Sequence, residues 1–150
     1  VSVDVGAVRS GASFAVTRTM VDIMQGSPAT LVKSYVTGEA GVLTITGIEW
    51  NLTNFDYALG GASLTGTTQL EFGGLTTTKE VALRLYHRRP DGATVELDIW
   101  KARSGGELTF PFTDDPHEFS FTFNALMTSV NWAGESLVAG SQLFKLTIIS

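Results

Sequence analysis

The stretch TGIEWNLTNFDYALGG, residues 46–61, is where the reading of the fold is decided. Ile48, Leu52, Phe55 and Leu59 recur at spacings of four, three and four, which draws one apolar stripe along a helix of period 3.6. The spacing predicts a helix over about residues 47–59 whose stripe packs on a partner surface. Thr46 followed three positions later by Glu49 has the capping-box pattern, in which a hydroxyl and a carboxylate satisfy backbone donors left over by the first turn. Gly60 and Gly61 then offer the left-handed backbone at which helices commonly stop.

Working outward, every flanking segment reads as strand or turn. On the N-terminal side, residues 1–20 carry short β-prone pieces around Gly6 and Gly11 and read as an extended arm or edge strand. After a brief apolar run at 21–24, Gln25-Gly26-Ser27-Pro28 is a turn cluster. Residues 30–37 alternate as a strand, and Gly38 to Gly41 read as the turn of a hairpin into GVLTIT, which leads directly into the helix. On the C-terminal side, residues 60–78 are rich in Gly, Thr and Ser and read equally as two short strands or as a loop ordered by a neighbour. Residues 81–87 place Val81, Leu83 and Leu85 on one face. Arg89-Pro90-Asp91-Gly92 turns the chain, and the return strand sets Val95, Leu97 and Ile99 against Glu96, Asp98 and Trp100. One face of that hairpin is therefore expected to be buried and the other wet or in contact with something else. Further on, Phe119, Phe121 and Phe123 alternate with Ser120, Thr122 and Asn124, so the phenylalanines are core. A loop over 128–142 separates this strand from the last one, residues 143–149. The sum is one mainly β domain over 1–150, a β-sandwich or barrel with one flanking helix.

Composition narrows the function. With no cysteine, thiolate metal sites and thiol nucleophiles are excluded. Fifteen acidic against ten basic side chains give a formal charge of −5, unlike a protein that grips nucleic acid over a basic face. The apolar runs fall far below the roughly 20 residues that cross a bilayer, and no charged n-region precedes an apolar one, so neither membrane insertion nor secretion is expected.

Chemical motifs are weak. Asp114, Asp115, His117 and Glu118 are potential ligands, but their spacing matches no EF-hand or zinc motif, and Asp-Asp-Pro between strands is ordinary turn chemistry. Gly134-Glu135-Ser136-Leu137-Val138 lacks the closing glycine of a nucleophile elbow, and the two histidines, His87 and His117, lie apart in the sequence. Asn51-Leu52-Thr53 fits the glycosylation pattern but sits inside the expected helix. Trp50, Trp100 and Trp132 with Tyr35, Tyr57 and Tyr86 read either as core and interface residues or as a platform for sugar rings. No catalytic residue, metal or cofactor is expected.

In their order, several of these segments resemble the major tail tube proteins of long-tailed, siphovirus-like bacteriophages. The resemblance is carried by Asp4-Val5-Gly6-Ala7, the Gln25 to Pro28 turn, Thr37-Gly38-Glu39 and GVLTITGIEWNLTNFDYALGG. It continues in Arg89-Pro90-Asp91-Gly92, Ile99-Trp100-Lys101-Ala102 and the phenylalanine-rich strand after Asp114-Asp115-Pro116. The resemblance implies a non-enzymatic virion protein that self-assembles, in the host cytoplasm, into stacked hexameric rings forming the hollow tail tube through which DNA passes during ejection. Its implied partners are further copies of itself and the tape measure, tail terminator and distal tail proteins, with no specific DNA contact. Candidate lumen-facing residues are Glu96 and Asp98, or Ser120, Thr122 and Asn124, since an acidic or polar lining lets DNA slide. Candidate helix-packing residues are Ile48, Leu52, Phe55 and Leu59, and the loops 60–78 and 128–142 are candidate inter-subunit segments. Two alternatives stand beside this: a related ring-forming protein (tail terminator, distal tail component or contractile-secretion tube), and a carbohydrate-binding β-sandwich module. A small hydrolase finds no nucleophile–base pair to support it.

Overall fold

The computed structural model describes residues 11–47, 51–110, 112 and 119–149. In chain order the elements are Ala12–Gln25 (β1), Thr30–Thr46 (β2), Leu52–Ala58 (α1), Ser63–Thr65 (β3), Gln69–Glu71 (β4), Glu80–Arg88 (β5), Thr94–Ser104 (β6), Ser120–Ala125 (β7) and Phe144–Ile149 (β8). The fold is mainly β with antiparallel sheets, consistent with a β-sandwich flanked by one helix.

Strand β6 is the hub. β5 runs along one of its edges, and because a strand has only two edges, β7 and β8 share the other: β8 pairs with residues 94–99 and β7 with residues 102–104. Between those two segments the register with β5 slips, so that Val81 faces Ala102 while Leu83 faces Ile99. An extra residue in one strand bends it and strengthens its twist. The bend brings β1–β2–β7 back toward β5–β6–β8, and Phe14 of β1 meets Phe144 of β8 edge to face with ring centroids 4.9 Å apart. Leu43, Ile45, Phe121 and Phe123 from one half, with Leu97, Ile99 and Ala102 from the other, form the buried core. Each large apolar side chain fully withdrawn from water there stabilises the fold by about 1.5–3 kcal/mol.

The helix closes one end of this core. Phe55, 1% exposed, puts its ring 5.1 Å from Phe110 and 4.9 Å from Phe119, both edge to face. Leu52 packs against the same cluster and Leu59 is half-buried, while Ile48 lies outside the described residues. The helix stops where expected. Gly60 and Gly61 take φ of 73° and 116°, and their amides donate to the carbonyls of Tyr57 and Asp56. Asp56 is itself buried, accepting from the Ala62 amide at 2.6 Å and from Lys79 Nζ at 2.9 Å, which ties the helix end to the approach to β5.

Three sequence expectations need correction. The helix begins at Leu52 rather than near residue 47, because Thr46 is still in β2, paired with Ser120, and Gly47 turns the chain at φ 94°. Its N-cap is Asn51, whose Oδ1 accepts from the Thr53 amide at 2.8 Å, so Thr46 is not a cap; Glu49, the other half of the expected capping box, lies outside the described residues. Gly38 to Gly41 form no turn: β2 continues through them, with Gly38 opposite Thr19 and Gly41 opposite Val16. Gly41 is there for space, since a Cβ on it would stand 2.8 Å from Cζ of Phe14. The partner of β2 is accordingly β1, across the turn that follows Gln25. Of the two readings of 1–20, arm or edge strand, residues 12–20 have the edge strand, as part of β1, while residues 1–10 lie outside the described residues. Of the two readings of 60–78, the structure has the short strands, β3 and β4, paired through Leu64 and Leu70.

Candidate functional site

Among the described residues, two surfaces stand out for side chains that the core does not explain. The first is the outer face of the β5–β6 hairpin. Once the turn sets Arg88 opposite Thr94, Arg84 falls opposite Asp98 and Tyr86 opposite Glu96. Arg84 donates from Nε and Nη2 to the two carboxylate oxygens of Asp98 at 2.7 and 3.0 Å, a bidentate fork, and Nη2 stands 3.4 Å from Glu96 Oε1. The Asp98 hydrogen bond, opposed by desolvation, holds the guanidinium pKa above its ordinary value. A base whose folded pKa is raised keeps its stabilising contribution at every pH below its unfolded value and loses it only above, so Arg84 remains a fixed cation across the working range.

The loop 128–142 folds over this ion cluster. The Trp132 ring lies 4.3 Å from the Arg84 guanidinium and meets Trp100 edge to face at 5.5 Å, while Trp100 Nε1 donates to the Ser141 carbonyl at 2.9 Å. Within the loop, Asn131 Oδ1 accepts from the amides of Ala133 and Glu135, both at 2.9 Å. The loop is thereby bound to its own sheet by a cation–π contact and a hydrogen bond. Asp98 is 3% exposed, and Glu96 is largely covered. Of the two readings of this face, wet or in contact with something else, the folded chain has the contact: Arg84 pairs with Asp98 and lies beside Glu96, and Trp132 packs on Arg84.

The other candidate lining residues lie elsewhere. Ser120 is exposed, and Thr122 and Asn124 are half-buried. Ser120 pairs with Thr46, Thr122 with Thr44, and Thr44 with Ser13, which assembles a hydroxyl-bearing strip across β7, β2 and β1 on the face opposite the phenylalanines. The structure thus does not bring Glu96 and Asp98 together with Ser120, Thr122 and Asn124 into one site.

The second surface was not anticipated. Beyond Phe14 and Leu43, β1 and β2 leave the body as a two-stranded ribbon whose residues, from Val16 to the turn and back to Val36, are all exposed apart from half-buried Ser34. Val16, Met20, Val21, Ile23, Met24, Leu31, Val32, Tyr35 and Val36 each show 46–59% of their surface. That is what a ribbon without a layer over either face displays. Its polar pairs hold the ribbon itself: Arg18 with Glu39 at 2.7 Å, and Ser34 with Asp22. The signal in the sequence is that residues 12–25 and 30–46 are both β-prone and flank a single turn cluster, which is the pattern of one long hairpin.

Among the described residues no group of three or more His, Cys, Asp or Glu side chains is placed to hold a metal ion, and the Asp114 to Glu118 cluster lies outside them. Also among the described residues, no helix is long and apolar enough to cross a membrane. The aromatic set does not form one platform: Trp100 and Trp132 pack on each other, Tyr57 lies under Lys79 Nζ at 4.3 Å, and Tyr35 is on the ribbon, with Trp50 outside the described residues. Compared with known protein families and with curated proteins, the chain matches no family model and no curated protein.

Proposed function

We propose that this chain is a structural subunit that works by self-assembly, as a tail tube protein of a long-tailed bacteriophage does: copies form rings, the rings stack, and the hollow stack conducts DNA. The observation that carries the reading is the ribbon. Nine large apolar residues, spread over the two faces of the ribbon, are each about half exposed, an apolar surface of the kind that marks an interaction site. An isolated two-stranded ribbon is marginally stable in water, so a partner layer is the natural completion of this one. The order of segments in the sequence supports the tail tube in particular. On this reading the ring is six-fold, the further partners are the tape measure, tail terminator and distal tail proteins, and the hydroxyl strip through Ser120 and Thr122 is a better lining for sliding DNA than the capped Glu96–Asp98 cluster, because it carries no fixed charge to pair with a phosphate.

The scatter of the aromatic side chains weighs against the sugar-binding alternative, since Trp132 and Trp100 engage Arg84 and each other while Tyr57 lies under Lys79 and Tyr35 is on the ribbon, which leaves no shared platform for a saccharide. Electron microscopy of the purified protein at high concentration, read beside its sedimentation profile, tests the proposal. Hollow tubes or stacked rings are expected. A species that stays monomeric over the whole concentration range and binds glycans would overturn it.

A further inference from the structure

The inner faces of β1 and β8 meet where Phe14 packs on Phe144. Past that contact β8 continues with Leu146 and Ile148, which pair with Leu97 and Val95 and so extend the surface of the core itself. Yet they are 59% and 62% exposed. Alternation turns Lys145 and Thr147 to the other face, which leaves the strip of Leu146 and Ile148 free of charge.

The ribbon supplies a matching surface, and only one of its two faces fits. On the face it shares with Phe14, the Arg18–Glu39 and Asp22–Ser34 pairs interrupt the apolar residues, and covering that face would bury carboxylates in apolar surroundings. The opposite face pairs Val21 with Tyr35 and Ile23 with Lys33 and has no carboxylate. Its one charge is accommodated, because the Lys33 ammonium lies 4.8 Å over the Tyr35 ring and its stem can lie along apolar surface with the head in water. By alternation this face points away from the side on which Phe14 meets Phe144. The strip on β8 of the same chain therefore lies on the wrong side of it, whereas that of a second copy does not.

We propose that the Val21, Ile23 and Tyr35 face of one copy's ribbon packs on the Leu146 and Ile148 strip of a second copy. Giving and receiving surfaces differ, so the contact is heterologous: each copy gives one ribbon and receives one, which propagates a ring or a stack instead of stopping at a two-fold pair. This rests on the reading of the chain as a self-assembling subunit and adds which surface takes the ribbon.

Because the chain has no cysteine, introduced thiols report one contact at a time. Ile23→Cys and Ile148→Cys are prepared as separate proteins and as a double variant, with Tyr35→Cys and Leu146→Cys as a second pair in case one pair of sulfurs is poorly aligned. The single variants are mixed at assembly concentration and oxidised with diamide. The two different single variants are expected to cross-link to each other several-fold more than either does to itself, and the double variant to give a ladder of dimers, trimers and larger species under non-reducing conditions. Preferential homodimers of Ile23→Cys, an intrachain disulfide in the double variant, or no mixed cross-link from either pair would each overturn the contact. Microscopy of the same samples separates this from the tube reading: tubes that form without the mixed cross-link remove the contact and keep the tube, whereas a ladder without rings or tubes keeps the contact and removes the tube.

Discussion

Phe14 and Ile23 lie on the same strand, hydrogen-bonded to the same partner strand, and their surroundings have little else in common. Phe14 packs on Phe144, and its ring occupies the space that Gly41 leaves open. Ile23 pairs with Lys33 and is 46% exposed, as are its ribbon neighbours to a similar degree. The difference shows that a β-ladder satisfies the backbone but does not by itself bury side chains. Burial needs a second layer, and in this molecule the bend in β6 supplies one only to the body. The body is closed where Phe14 meets Phe144 and open along β8 at Leu146 and Ile148, whereas the ribbon is open along its whole length.

The sharpest break of this comparison is Phe55→Ala. Phe55 is 1% exposed and stacked edge to face on two rings, so truncation leaves a cavity that the sheet above cannot collapse to fill. A loss of about 3–5 kcal/mol is expected from the denaturation midpoint of the isolated subunit. A change near zero would move the helix stripe from the core of one chain to a surface between chains, and the body would no longer be self-sufficient.

Gly41→Ala probes the boundary between the two regions. A Cβ at residue 41 would meet Phe14 Cζ at 2.8 Å and Ala125 Cβ at 3.3 Å, so either the ring or the strand has to move. Overpacking of this kind costs about 1–3 kcal/mol. If Phe14 is the obstacle, combining Gly41→Ala with Phe14→Leu is expected to cost less than the sum of the two single changes. Simple additivity of the two would show that the ring does not set the limit at the ribbon's root.

The same boundary explains what the sequence made legible. The β5–β6 hairpin and the Phe119, Phe121, Phe123 strand follow from alternation and from a turn with proline and glycine at the positions that need them, because those signals are local. The end of the helix is local too, set by Gly60 and Gly61. Its start is not, because Thr46 belongs to a ladder with Ser120, a residue far along the chain. Gly38 to Gly41 read as a turn for the same reason: the ring that makes glycine necessary at residue 41 comes from another strand. At the candidate surfaces, Arg84 opposite Asp98 follows from counting back from the turn, whereas the cover supplied by Trp132 depends on how a distant loop returns. The exposure of the ribbon is not legible in the sequence because apolar alternation implies burial without stating which chain provides it.

Ile23→Ala has the smallest expected effect on the subunit and separates the two regions most cleanly. Its side chain already faces water over about half its surface and, among the described residues, shares no place with the buried core, so the isolated subunit should lose no more than about 0.5 kcal/mol. Assembly is a different equilibrium. If the ribbon is one side of an interface, an apolar residue in the middle of the covered face contributes to association what Phe55 contributes to folding, and each copy in a ring or stack loses that contribution again. The concentration needed for assembly, read by sedimentation, should therefore rise well beyond what the denaturation midpoint would lead one to expect. Equal and small effects on both measurements would mean that the ribbon's apolar faces stay open to water in the assembled state. A large loss in the isolated subunit would mean that the ribbon is already covered within a single chain.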